Sequence, residues 1–103
     1  MSVIYEVNLS VMKEIANEYR IWLSDQVQEM LALPGFTGAR ILEIVEDASS
    51  AETTFCTRYE LVDQSALDDF MRVHAGRMRA DGVSRFGDRF RASRRALRDA
   101  GDY

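Results

Sequence analysis

The amino-acid sequence predicts an α+β domain whose elements follow one another in the order β-α-β-β-α-β. Apolar residues alternate with polar ones in short segments rich in β-branched and aromatic residues, and they recur every three or four residues in two longer segments. A short connection between the second and third strands predicts an antiparallel hairpin. The chain has 103 residues, 47% of them hydrophobic, and a single proline. These values suit one globular domain.

The beginning of the chain predicts one strand followed by one long helix. Met1–Leu9 alternates apolar and polar residues from Val3 onward, which is typical of a strand. Ser10 is a residue type that caps helices, and from Met12 the apolar residues recur at spacings of three and four. Because proline disfavours helical geometry in the residue before it, we expect this helix to end at Pro34-Gly35.

The middle of the chain predicts a β-hairpin. Phe36–Glu46 is rich in Ile, Leu and Val and forms the second predicted strand, although the facing of Ile41 and Leu42 stays open. Asp47–Ala51 is the predicted turn, and Glu52–Val62 is the third strand. Alternation places Phe55, Tyr59 and Leu61 on one face of that strand, and Cys56, Arg58 and Glu60 on the other.

The remainder predicts a second helix and a fourth strand. Ser65-Ala-Leu-Asp68 matches a capping box, and we expect the helix that it starts to end at Gly82. Arg85–Phe90 then reads as a loop and Phe90–Leu97 as the fourth strand. Asp99–Tyr103 is predicted to be a mobile tail.

Residues 1–98 therefore form one predicted domain of the split-βαβ, or ferredoxin-like, arrangement. Its two helices cover one face of a four-stranded antiparallel sheet, and no further element remains to cover the other face. A second copy of the chain would cover it. We therefore expect a homodimer through the sheet face, in the form of a dimeric α/β barrel.

Charge is distributed unevenly along the chain. Residues 1–71 carry 13 acidic and 4 basic side chains, whereas residues 72–103 carry 9 basic and 4 acidic ones, which gives −9 and +5 and a net charge of −4. An arginine-rich segment can bind nucleic acid. Here acidic residues are interspersed and no aromatic stacking platform accompanies the arginines, so we expect no nucleic-acid partner. Pairing between the acidic and basic parts, within or between chains, explains the pattern better.

Composition also argues against several other classes. A single cysteine, Cys56, excludes an intrachain disulfide framework, and one histidine and one cysteine are too few for an ordinary zinc site, so no metal or other cofactor is expected. No secretory leader is visible, and no segment approaches the ~18–20 apolar residues of a membrane span. The simplest expectation is a cytoplasmic protein in a reducing compartment, with no membrane partner.

Several short motifs resemble those of a known bacterial family. They are Ser-Ala-Leu-Asp-Asp-Phe at 65–70, His-Ala at 74–75, Arg-Phe-Gly-Asp-Arg-Phe at 85–90 and Gly-Phe-Thr-Gly-Ala-Arg-Ile-Leu at 35–42. The chain resembles, over most of its length, a domain-of-unknown-function family within the dimeric α/β-barrel superfamily. The resemblance implies the fold and the dimer but no activity. Family members often carry histidine where this chain has Gln26, so chemistry that depends on that histidine would be absent here.

The candidate site is a pocket between helices and sheet that binds a small, partly apolar molecule. Its candidate residues are His74, a residue type that can act as acid or base, and Tyr5, Trp22 and Tyr59, which combine apolar area with a polar tip. The alternative for each is a purely structural core position. Arg58, on the other sheet face, is a candidate for binding the carboxylate of a substrate. The alternative is that it forms ion pairs at the dimer interface.

Two other function classes stay open at this point. One is a cofactor-independent monooxygenase, cyclase or isomerase with His74 as acid or base and Tyr5 or Tyr59 as hydrogen-bond donor, which rests on fold analogy alone. The other is an interaction module that docks a partner through the arginine-rich last third. Within that third, Arg85 and Arg89 are candidates for an anion or partner site, or else they stabilise a turn around Gly87.

Overall fold

Four strands and three helices make up the described part of the chain, which in this computed structural model comprises residues 1–45 and 51–103. The strands are β1 (Val3–Met12), β2 (Phe36–Glu43), β3 (Glu52–Leu61) and β4 (Phe90–Leu97), and the helices are α1 (Ala16–Leu31), α2 (Gln64–Val73) and α3 (Ala75–Phe86). The strands form one antiparallel sheet in the order β2-β3-β1-β4. The ferredoxin-like α+β fold predicted from the sequence is confirmed.

All three helices contribute to a core on one face of the sheet, which we call the inner face. Residues of β1 with odd numbers, from Val3 to Val11, are buried there together with Leu23 of α1, Phe70 of α2 and Met78 of α3. The even-numbered residues of β1 point to the opposite, outer face. On β2, Ile41 packs against the core and so faces inward, whereas Leu42 faces outward, which settles the facing that the sequence left open.

The first helix begins later than the sequence predicts. Ser10 does not cap a helix, because β1 continues through it to Met12 and a 3₁₀ turn at Lys13–Ile15 precedes α1. Ser10 pairs with Thr54 on β3 and with Arg91 on β4. Since β1 is a central strand, ladder hydrogen bonds to two neighbours outweigh a single side-chain cap.

The second predicted helix has a different cap and is divided into α2 and α3. Asp63, rather than Ser65, is the N-cap, and its carboxylate accepts a hydrogen bond of 2.9 Å from the Ala66 amide. The division lies at His74, whose backbone (φ −115°, ψ −28°) departs from ideal helical geometry. Asp63 was missed because a capping residue needs extended backbone, which residue type alone does not reveal.

Gly82 does not end the helix, because α3 continues to Phe86. A Cβ atom at Gly82 would lie 3.2 Å from the Phe90 ring and 3.3 Å from the Trp22 ring, so this glycine allows close packing. The helix ends at Gly87, whose φ of 62° is a conformation that glycine adopts at little cost.

The hairpin boundaries shift slightly from the predicted ones. β2 ends at Glu43 and β3 at Leu61, while β4 has the predicted bounds. The predicted turn Asp47–Ala51 lies outside the described residues except for Ala51. Between α1 and β2, Gly35 has a φ of 86°, and a Cβ atom there would collide with the Cβ atom of Ala66. Within residues 1–45 and 51–103, no helix is long and apolar enough to span a membrane.

Candidate ligand-binding cavity

A cavity of about 60 Å³ lies between the inner face of the sheet and the helices. Its lining combines apolar side chains with six aromatic rings, which belong to Tyr5, Tyr19, Trp22, Tyr59, Phe70 and Phe90. A water molecule needs about 10–15 Å³ of such space, whereas a dry cavity that accepts benzene measures about 150 Å³. The cavity therefore has room for a few waters, or for one end of a larger molecule.

Thr57 of β3 is a polar residue in this largely apolar lining. Its inner-face neighbours across the sheet are Val7 on β1 and Ile41 on β2. Thr57 is 0% exposed, and its Oγ1 atom has no hydrogen-bond partner among the residues that the structure describes. Because leaving a buried hydroxyl unpaired costs free energy, a ligand or water that bonds this atom would be stabilised.

Polar side chains also lie on the helical wall and on the outermost strand. Arg79 of α3 donates a hydrogen bond of 3.3 Å from Nη2 to the Tyr5 hydroxyl, and Gln26 of α1 donates one of 2.9 Å from Nε2 to the Met78 carbonyl. Arg94 of β4 lies on the inner face opposite Val7 and lines the cavity as well. Arg79 and Arg94 are exposed, so they mark the rim of the cavity.

Burial keeps the deeper tyrosines neutral. It raises the pKa of Tyr59 well above its usual range, with the neighbouring tyrosines adding to the effect, and it raises the pKa of Tyr19 in the same way. Both phenols therefore retain their protons at any physiological pH. A neutral phenol is a hydrogen-bond donor as well as an acceptor.

Three of the predicted site residues line the cavity, and two do not. Tyr5, Trp22 and Tyr59 are in the lining, and the rings of Tyr5 and Tyr59 stack with centroids 6.1 Å apart. His74 is half-buried at the junction of α2 and α3, where its ring stacks on Phe70 at 6.5 Å and its backbone amide bonds the Phe70 carbonyl. His74 is not part of the cavity lining.

Arg58 lies on the outer face, in an ion-pair network around Glu6. Glu6 is 1% exposed and accepts hydrogen bonds from Arg95, from Arg58 at 3.0 Å and from Asn8 at 3.1 Å. These bonds, that of Arg95 above all, lower the pKa of Glu6 to about 2. Cys56 is buried on this same outer face, so the sheet separates it from the helices and from His74. Burial raises the pKa of its thiol.

Several arginines of the last third pair with acidic residues of the first part of the chain. Arg85 lies 3.4 Å from Glu18, and Arg89 donates to the Phe86 carbonyl at 3.1 Å. Arg91 pairs with Glu52 at 2.9 Å. The predicted pairing of the acidic first part with the basic last part therefore occurs within the chain, and Arg85 and Arg89 both have contacts within the chain.

Sequence reasoning missed the polar residues of the cavity, although two of them carried a signal. Thr57 lies between Phe55 and Tyr59 in the inward-facing alternation of β3, and Arg79 lies one helical turn after the buried Ala75. Arg94 shares the parity of Phe90, but most of β4 is exposed, which weakens that pattern. Among the described residues, no group of three or more His, Cys, Asp or Glu side chains is placed to hold a metal ion.

The fold and the cavity define a small α+β protein with an aromatic-lined space between sheet and helices. The family comparison makes this more specific: residues 2–100 match the family described as Domain of unknown function (DUF4286), and the chain belongs to that family. The resemblance noted in the sequence is thereby confirmed. No curated protein matches the chain in sequence.

Solved structures of distant proteins share the fold. SnoaB, a cofactor-independent oxygenase from Streptomyces nogalater, superposes with a TM-score of 0.72 at 12% identity, covering 99% of this chain and 97% of that one. A protein provisionally named an antibiotic biosynthesis monooxygenase, from Deinococcus radiodurans, gives 0.72 at 17% identity, with coverages of 98% and 94%. Rv0793 from Mycobacterium tuberculosis gives 0.71 at 13% identity, with coverages of 99% and 98%. At these identities the similarity establishes the fold alone.

Proposed function

We propose that this chain is a homodimeric protein that binds a small, partly apolar molecule in the cavity between its helices and sheet. The observation that carries the proposal is the unpartnered hydroxyl of Thr57, which is fully buried in the lining of an otherwise largely apolar cavity. Binding sites commonly combine apolar walls with a few placed polar groups. Thr57 and the neutral phenol of Tyr59 supply such groups.

The size of the cavity limits what it can hold. At about 60 Å³ it is smaller than the space that a whole benzene ring occupies in a closed cavity. A ligand would therefore insert an apolar end among the aromatic rings and keep its other end at the rim. The proposal thus concerns molecules with one apolar end and one polar end.

The dimer part of the proposal rests on the outer face of the sheet. Glu6 is buried there by its own ion partners, although Arg58 and Arg95 stay 49% and 64% exposed. Leu42 and Ile4 add half-buried apolar area to the same face. A second copy would cover this surface by pairing two equivalent sheets, and replacing Leu42 by aspartate would then lower the molecular mass in solution to that of one chain.

A probe titration tests the binding proposal. Trp22 is the single tryptophan and lines the cavity, so its indole signal in ¹⁵N-edited NMR reports occupancy. Benzoate and its neutral analogue benzamide are suitable probes, because each has one ring and one polar group. We expect at least one probe to shift the Trp22 indole and the Thr57 amide in a saturable way.

The matched controls are Thr57→Val and Thr54→Val on the same strand. Thr54 pairs with Ser10 and therefore points to the outer face, away from the cavity. We expect Thr57→Val to weaken probe binding severalfold and Thr54→Val to leave it unchanged. Absence of saturable shifts with both probes, or equal effects of the two substitutions, would reject the proposal.

A cofactor-independent oxygenase, cyclase or isomerase is the second candidate. The fold shared with SnoaB favours it, but only as an analogy. Tyr5 and Tyr59 are available as hydrogen-bond donors in the cavity, whereas the position of His74 outside the lining offers no support for His74 as acid or base. If a substrate is found, turnover that His74→Ala leaves unchanged would reject that role.

A further inference from the structure

Two arginines in the cavity lining, Arg79 and Arg94, have no acidic partner among the residues that the structure describes. Six other arginines each lie within 4.0 Å of a carboxylate, namely Arg58, Arg72, Arg77, Arg85, Arg91 and Arg95. Within the described residues, Arg79 has polar contacts with the Tyr5 hydroxyl and the Met71 sulfur, and Arg94 has no carboxylate within that distance. Both charges border the same cavity, and no ion pair among the described residues neutralises them.

The lining contains no aspartate or glutamate among the described residues. The two guanidinium groups therefore give the rim a positive charge with no acidic group in the lining to neutralise it. A cationic ligand would be repelled, and a neutral one would leave both charges unpaired. An anionic group at the rim would form charge-assisted hydrogen bonds, for which the planar guanidinium is well suited.

The aromatic side chains that line the cavity behind the rim favour a ligand whose inserted part is apolar. Trp22 and Phe90 line the cavity and are half-buried, and the fully buried part of its wall includes Tyr5, Tyr59 and Phe70. Aromatic faces and edges pack well against another ring. Arg79 also donates a hydrogen bond of 3.3 Å to the Tyr5 hydroxyl. The Arg79 charge therefore lies next to the stacked rings of Tyr5 and Tyr59.

We propose that the ligand is a small organic anion with a ring-bearing apolar body, whose charged group is bound by Arg79 and Arg94 and whose ring inserts one edge into the aromatic cavity. This deepens the proposed function and depends on it, since it names the ligand class of the same site. The hydroxyl of Thr57 bonds a water molecule that lies behind the inserted apolar end.

The test compares three probes on the wild-type protein by the Trp22 indole titration. Benzoate carries the ring and the charge, benzamide carries the ring without the charge, and inorganic phosphate carries charge without the ring. We expect benzoate to bind about tenfold more tightly than benzamide, as a charge-assisted hydrogen bond predicts. We expect phosphate to leave the Trp22 signal unchanged, and raising the salt concentration to weaken benzoate binding.

Substitutions then assign the selectivity to the two arginines. Arg79→Met and Arg94→Met should each remove most of the preference for benzoate while leaving benzamide binding nearly unchanged. Arg79→Lys should keep part of the preference, because it retains the charge. Arg77→Met is the matched control: Arg77 lies on the same helix but pairs with Asp81, and it is absent from the lining.

The possible results separate this inference from the binding proposal. If benzamide binds as tightly as benzoate, or if Arg79→Met and Arg94→Met keep the preference, the anion inference is wrong and the binding proposal stands. If phosphate matches benzoate, the site recognises charge alone and the inference is also wrong. If no probe binds, both proposals fail together.

Discussion

Replacing Thr57 by valine is expected to stabilise the unliganded protein, although the substitution lies in the core. Thr57 is 0% exposed, and its hydroxyl lacks a hydrogen-bond partner among the described residues. An unpaired buried polar group costs about 1–3 kcal/mol in free energy of unfolding, and valine replaces the hydroxyl by a methyl of similar size. Water in the cavity would satisfy the hydroxyl in part, so we expect a gain of about 1 kcal/mol, or roughly 5 °C in Tm for a domain of this size.

Thermal and urea unfolding measure this effect. Both should be done at equal chain concentration, because dimer formation would link stability to concentration. Thr54→Val, on the outer face of β3, is the control and should change the free energy of unfolding by less than about 0.5 kcal/mol. A fall of several degrees in the Tm of Thr57→Val would refute the reasoning, since it would mean that the hydroxyl is well bonded in the unliganded protein. The same variant should bind benzoate more weakly, so its effects on stability and on binding should have opposite signs.

Three further predictions concern other parts of the structure. The pKa of Glu6 is lowered to about 2, first by the Arg95 hydrogen bond, so its stabilising contribution is complete above about pH 4.5 and is lost as the pH falls toward 2. Because Arg58 and Arg95 are half-exposed or more, solvent screening reduces the effect, and urea unfolding should show the wild type losing about 1–2 kcal/mol more than Glu6→Gln between pH 6 and pH 3. Gly35→Ala should lower the free energy of unfolding by about 2 kcal/mol or more, because its φ is 86° and the new methyl collides with Ala66; an unchanged urea midpoint would contradict this. Gly82→Ala should weaken benzoate binding severalfold in the NMR titration, because its methyl presses on Trp22 and Phe90; unchanged affinity would place the ring elsewhere.

The fold could be predicted from the sequence where its signals are local. The alternation in β1 predicts a strand with one buried face, and the spacing in α1 predicts one buried stripe, because each pattern follows from the geometry of a single element. Helix ends were predicted less well. Ser10 continues a central strand because two neighbouring strands pair with it. Gly82 lies inside α3 rather than at its end, and the absence of a side chain there lets Trp22 and Phe90 pack close to the helix. Both depend on contacts distant in sequence.

The candidate site could be predicted only in its apolar part. Tyr5 and Tyr59 share the inward parity of adjacent strands, so the pattern places them together beneath the helices. His74 was a candidate because of its chemistry, but the break between α2 and α3 places it at a helix junction, and periodicity carries no sign of that break. Arg79 and Arg94 come together only through the packing of α3 over the sheet.

Native mass spectrometry of freshly purified protein, compared with its denatured mass, tests the central claim most directly, since it reports assembly and bound molecules at once. The account predicts a species of two chains that takes up benzoate in saturable fashion and in larger amount than benzamide, and whose Thr57→Val variant needs a severalfold higher benzoate concentration for the same uptake. A two-chain species that retains no small molecule at any benzoate concentration would contradict the claim of a ligand site. A single-chain species would contradict the claim that the outer sheet face pairs with a second copy.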